Sequence, residues 1–137
     1  MKTTNYYNTF IAVAPDCPVN IAEIPPQKEA AKTIANFQFE MISAHPYKYT
    51  SDDVIFMGYA LKNTLKKEEL NAAKEIFFSK GQACLRSSPL AKRYGWGIHS
   101  NEEGKIAIYA IESATYKKLL ADKKLKQLKA MRSKRAA

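Results

Sequence analysis

The sequence has few cysteines, few glycines and no long apolar run, and each shortage removes a class of protein. Its two cysteines, Cys17 and Cys84, stand far apart and form no CxxC pair. That spacing specifies neither a disulfide framework nor a zinc site, and fits two free thiols in a reducing compartment. The longest apolar run covers residues 54–61, eight positions counting Gly58, whereas a bilayer span needs about 20. No membrane passage is expected. The opening MKTTNYYN contains no apolar stretch of the length a secretory signal requires before Pro15 interrupts it, so cytoplasmic residence is expected. Five glycines and six prolines build no linker, repeat or low-complexity tract. Neither a GKS/T run nor a glycine fingerprint is present, which argues against a nucleotide loop, and no cofactor is expected. His45, His99, Cys17 and Cys84 add up to four candidate zinc ligands, but no two of them are near in sequence, so no metal site is expected.

What remains is the composition of an ordinary folded domain. With 46% hydrophobic and 26% charged residues, the chain has the balance of a soluble globular protein. Its 137 residues correspond to one domain, residues 1–137, able to bury about two thirds of its unfolded surface. The net charge of +9 is unevenly placed. Residues 1–116 carry 13 basic and 12 acidic side chains, a balance of +1, whereas residues 117–137 carry nine basic side chains against Asp122 alone, a balance of +8. Attraction for an anionic partner therefore belongs to the C-terminal segment.

Periodicity places the elements. Residues 7–13 are β-branched and aromatic and read as a strand. Pro15, Pro18, Pro25 and Pro26 then make residues 15–31 an irregular connection. Residues 33–44 read as a helix capped by Thr33 and stopped at His45-Pro46. Thr50 and Asp53 form a capping box for a second helix over 51–61. A third covers 66–79, with Leu70, Ala73, Ile76 and Phe77 on one face. Ser88 and Pro89 start a short turn of helix. Residues 96–110 alternate on both sides of Asn101-Glu102-Glu103-Gly104 and predict a β-hairpin. Residues 113–120 read as a helix. Asp122 reads as the start of a last one, a basic helical tail over 122–137 that frays at its end, in which Leu125, Leu128 and Met131 recur. The expected fold class is α+β: a small antiparallel sheet, holding the hairpin of the C-terminal half, packed on several helices.

Most of the chemically active side chains fall in residues 81–99. Cys84 is a possible nucleophile if Arg86 or a nearby helix start lowers its pKa and His99 serves as base; its bland reading is an inert packed thiol. Arg86, Ser87, Ser88 and Arg93 combine cations and hydroxyls suited to a phosphate or carboxylate. Trp96, with the loop residues Tyr47 and Tyr49, supplies rings that can stack on a ligand or simply anchor a loop. Asp52 and Asp53 occupy the first turn of a helix, where the dipole favours acids, and read as capping residues. Lys123, Lys124, Lys126, Lys129, Arg132, Lys134 and Arg135 can neutralise phosphates without reading sequence, or serve only as a solvated face.

Four runs carry a resemblance: Pro46-Tyr47, Thr50-Ser51-Asp52-Asp53-Val54-Ile55-Phe56, the KGQACLR run at 80–86, and the KRYGWGIH run at 92–99. With Thr3-Thr4-Asn5-Tyr6 and the Pro25-Pro26 loop, they make the chain similar to a bacterial family known only as a domain of unknown function (DUF6157). The resemblance spans nearly the whole chain. It implies a compact bacterial single-domain protein and brings no activity, substrate or catalytic residue.

The function expected from the residues is a non-catalytic domain that binds an anionic ligand or partner, at a concavity where residues 81–99 meet the Tyr47/Tyr49 loop. The alternatives are a small-molecule enzyme using Cys84 and His99, and weak, non-specific nucleic-acid binding through the basic tail.

Overall fold

The structure, a computed structural model, describes residues 2–27 and 32–134. Four strands form where the alternating segments predict three: β1 (Thr9–Ala12), β2 (Trp96–Ser100), β3 (Ile106–Ala110) and β4 (Lys126–Lys129). They make one sheet in the order β3-β2-β1-β4. β2 is antiparallel to both β1 and β3, but β4 is parallel to β1. The fold is α+β, and its sheet is mixed rather than antiparallel.

Among the described residues, five helices accompany the sheet: α1 (Ile34–Ala44), α2 (Ser51–Lys62), α3 (Leu70–Phe77), α4 (Pro89–Lys92) and α5 (Ala114–Ala121). Thr33 caps α1 with Asn36, and Thr50 caps α2 with Asp53, each as a reciprocal capping box. Ser88 and Pro89 open α4 as cap and first residue. The third predicted helix is split, a 3₁₀ turn at Lys67–Glu69 preceding α3. None of the helices described is long and apolar enough to cross a membrane.

The register separates two buried faces. Ile11, Ile98 and Ile106 share one face with Ile42 of α1, Val54 of α2 and Leu90 of α4. Phe10 and Ala12 lie on the other, under Tyr116 of α5. β1 is therefore buried on both sides, as a central strand must be. On the Phe10 side Gly97 has no room for a side chain: a Cβ there would lie 2.6 Å from both Phe10 Cζ and Tyr116 Cε2. The vacancy seats the Tyr116 ring edge-on to Phe10, centroids 5.1 Å apart, and brings its hydroxyl 3.0 Å from the Val13 N–H, which it accepts. So held, α5 crosses the sheet from β3 at one edge to β4 at the other.

That crossing overturns the predicted basic helix at 122–137. Asp122 ends α5 in extended backbone, and its carboxylate accepts the Lys124 N–H. The chain then pairs with β1, Lys126 N–H donating to the Asn8 carbonyl at 2.9 Å and Ala130 N–H to the Ala12 carbonyl at 2.8 Å. The reason is the demand of the neighbour. β1 is buried, and its second edge would carry unpaired amides and carbonyls without a partner strand, a cost that outweighs weak helical spacing on a Lys-rich segment. Arg135 lies outside the described residues.

The N-terminal segment is tied down by one buried acid. Asp52, in the first turn of α2, accepts Thr3 Oγ1 at 2.7 Å, Thr4 N–H at 2.7 Å and Thr4 Oγ1 at 2.6 Å, while its own N–H donates to Asn5 Oδ1 at 2.9 Å. Capping therefore falls mainly to Asp53, and Asp52 anchors residues 3–5.

Two substitutions test this frame. Gly97→Ala is expected to cost about 1–3 kcal/mol by overpacking, read as a lower midpoint of denaturant unfolding; an unchanged midpoint would contradict the tight seat of Tyr116. Asp52→Ala leaves the Thr4 N–H and two hydroxyls without their acceptor, and is expected to cost about 2–3 kcal/mol and to speed proteolytic clipping of the first residues.

Candidate functional site

The predicted site residues fall into four groups, because strand alternation and helix placement send neighbours in sequence to different sides. His99 lies on the Phe10 face and Trp96 on the opposite one. No shared concavity gathers Arg86, Arg93, His99 and the two loop tyrosines, contrary to the sequence expectation.

The first group is a polar relay. Tyr47, in the connection between α1 and α2, places its hydroxyl 2.7 Å from His99 Nδ1 and 2.8 Å from the Tyr109 hydroxyl. Tyr47 has φ 58°, a left-handed conformation that costs a bulky residue about 1–3 kcal/mol. Its N–H compensates in part by donating to the Ile106 carbonyl at 2.8 Å. Burial pulls the His99 pKa below its usual value, opposed by the Asp122 carboxylate. Burial, together with the bond to Tyr109, pushes that of Tyr47 up. At neutral pH the imidazole is therefore uncharged, and the Tyr47 hydroxyl bridges His99 Nδ1 and the Tyr109 hydroxyl. Tyr109 escaped the sequence reading although its signal was present: it faces Gly97 across the hairpin, two positions from the residue opposite His99. Tyr49 takes no part. It is half-buried against the core, its ring 5.8 Å from that of His45, with Lys48 Nζ 5.4 Å above it.

The second group surrounds Cys84. Its Sγ lies 3.3 Å from the Tyr6 hydroxyl, and that bond is the main reason the Tyr6 pKa is raised. Cys84, Ser87 and Ser88 line a small hollow of about 200 Å³ with Ile34, Gln38 and Ile55. Ser88 is fully engaged, donating to Gln38 Oε1 and accepting the Leu90 N–H. Cys84 and His99 thus bond to different tyrosines and border opposite faces of the sheet, so they do not form a nucleophile and base pair. Among the described residues no cluster of His, Cys, Asp or Glu is arranged to hold a metal ion.

Arg93 and Trp96 form a third group under the irregular connection. Trp96 Nε1 donates to the Glu23 carbonyl at 2.8 Å, and its ring lies 5.1 Å from that of Phe39. Arg93, exposed, lines a hollow of about 480 Å³ with Pro18, Glu23, Ile24 and Tyr94. Trp96 is a loop anchor.

The fourth group joins two segments that the sequence keeps apart. Arg86 Nε donates to the Lys129 carbonyl at 2.8 Å, the Arg86 carbonyl accepts Met131 N–H at 2.8 Å, and Ser87 Oγ lies 3.2 Å from Met131 Sδ. Arg86, Lys129, Arg132 and Lys134 line one hollow of about 490 Å³ together with Pro15 and Ser133. Asp16 closes its rim, its carboxylate accepting the N–H groups of Ser133 and Lys134, each at 3.0 Å. These bonds hold the Asp16 carboxyl below its ordinary pKa. Nothing in the sequence signals this contact, which spans more than 100 positions. Lys123 and Lys124 are exposed in the turn after α5, and Lys126 is exposed on β4.

The relay makes a pH prediction. Unfolding restores His99 to a pKa near 6.5, above its folded value, so the unfolded chain binds more protons and stability falls as pH drops below about 6.5. His99→Asn is expected to flatten that part of the stability profile, measured by urea unfolding between pH 7 and 5; an unaltered slope would remove His99 as its source.

No curated protein and no solved structure matches the chain. A family model described as a family of unknown function (DUF6157) matches residues 1–136. The protein belongs to that family.

Proposed function

We propose that this protein is a non-catalytic binding domain for an anionic ligand or partner, engaged at the basic hollow beside β4. The observation that carries the reading is the convergence of Arg86, Lys129, Arg132 and Lys134 on one concave surface. Among the described residues, none of the four makes an ion pair. Like charges held together raise the local potential and attract an anion through a salt-dependent field. Asp16 offsets this only in part, its oxygens being committed to backbone amides. The enzyme reading lacks comparable support, because Cys84 and His99 are separated by the sheet. Nucleic acid would use the same cations, and Lys123, Lys124 and Lys126 extend the basic surface toward it. Free thiols at Cys17 and Cys84 support residence in the reducing cytoplasm.

Binding to immobilised heparin, a polyanion of no particular shape, tests the location. The triple variant Lys129→Ala, Arg132→Ala, Lys134→Ala is expected to elute at clearly lower salt than a control of equal net charge, Lys62→Ala, Lys67→Ala, Lys80→Ala. Elution of the two variants at one salt concentration would mean that net charge, rather than this hollow, governs retention.

A further inference from the structure

We propose that the anionic partner is an extended acidic polypeptide segment that adds as a further strand to the outer edge of β4. This rests on the reading just given and narrows it. In a parallel pair, alternate residues turn their backbone groups toward the neighbour. The bonds from Lys126 and Ala130 to β1 show that positions 126, 128 and 130 face β1, so Gln127 and Lys129 face outward. The Lys129 carbonyl is taken by Arg86. β4 is the last strand of the sheet and pairs only with β1 among the described residues, so no strand meets the outward Gln127 N–H, Gln127 carbonyl or Lys129 N–H. β4 is exposed along this side, and such an edge is a template for another strand.

Edge lysines ordinarily deter that pairing. What they repel is a basic or apolar strand; an acidic one turns the deterrent into complementarity. Lys126 lies on the Ile11 face of the sheet and Lys129 on the Phe10 face, so carboxylates on either side of an incoming strand would meet a cation. Past the strand end, the Asp16 carboxylate already sits on the Ser133 and Lys134 amides, which shows that a carboxylate is a group this surface accepts. Nucleic acid is less well served, since no aromatic ring lines the hollow for a base to stack on.

The test uses the full chain and a fluorescein-labelled heptapeptide of alternating glutamate and valine, followed by anisotropy at low salt. Saturable binding is expected, weakened about tenfold or more when every backbone N–H of the peptide is methylated with its charge unchanged. Gln127→Pro removes one outward N–H and leaves the ladder to β1 intact, as proline is tolerated on an edge, and is expected to lose about tenfold in affinity. Gln127→Ala removes the side-chain bonds to the Leu119 and Asp122 carbonyls but keeps the N–H, and should bind within about twofold of the parent. Should the proline variant fail to fold, the methylated peptide on the unaltered protein decides the matter. Equal binding of methylated and unmethylated peptides, or of an oligothymidylate of the same charge, overturns strand addition while leaving the anion-binding hollow standing. Failure of every anionic probe to bind overturns both.

Discussion

Gly97 is the point from which the second half of the chain takes its course. With no Cβ there, the Tyr116 ring comes down onto Phe10 and its hydroxyl reaches the Val13 amide. This docks α5 across the face of the sheet. A helix so placed carries the chain from β3 past β2 to the second edge of β1. β4 forms there because the buried backbone of β1 needs it. The basic segment thus becomes an ordered sheet edge in place of a solvated tail, and Arg86 can grip it from the other side of the junction.

That junction unites two features which read separately as rivals. An Arg/Ser run at 86–88 suggests an anion site, and a lysine-rich terminus suggests a sticky tail. Once β4 pairs with β1, Arg86 bonds the Lys129 carbonyl, and the two become walls of one hollow. The opposite happens to Cys84 and His99. They are only 15 positions apart and invite a nucleophile and base reading, yet strand alternation turns His99 to the Phe10 face, and Cys84 stays with Tyr6 beside α1 and α2. Proximity in sequence misleads whenever a strand lies between two residues, since each step along it reverses the side.

The Tyr47 relay shows how a loop can be locked by polar groups alone. A left-handed tyrosine is strained, and it persists because its hydroxyl satisfies both Tyr109 and the uncharged His99 while its amide caps β3. The relay fastens the connection between α1 and α2 to the hairpin.

Local chemistry was enough for much of the architecture. The Thr33 and Thr50 caps, the Ser88-Pro89 start, the hairpin around Asn101–Gly104 and the central strand at 9–12 follow from short-range preferences, which act over three or four residues and are visible wherever those residues are written. The concentration of positive charge after residue 116 was equally legible. What the tertiary structure alone decided was every pairing between distant segments: Asp52 with Thr3 and Thr4, Asp16 with Ser133 and Lys134, Arg86 with Lys129. It also decided the state of residues 126–129, whose helical spacing yielded to a strand. The reason is that a backbone edge left open by one part of the chain is a demand on another part, and its strength depends on burial, which exists only once the chain has folded.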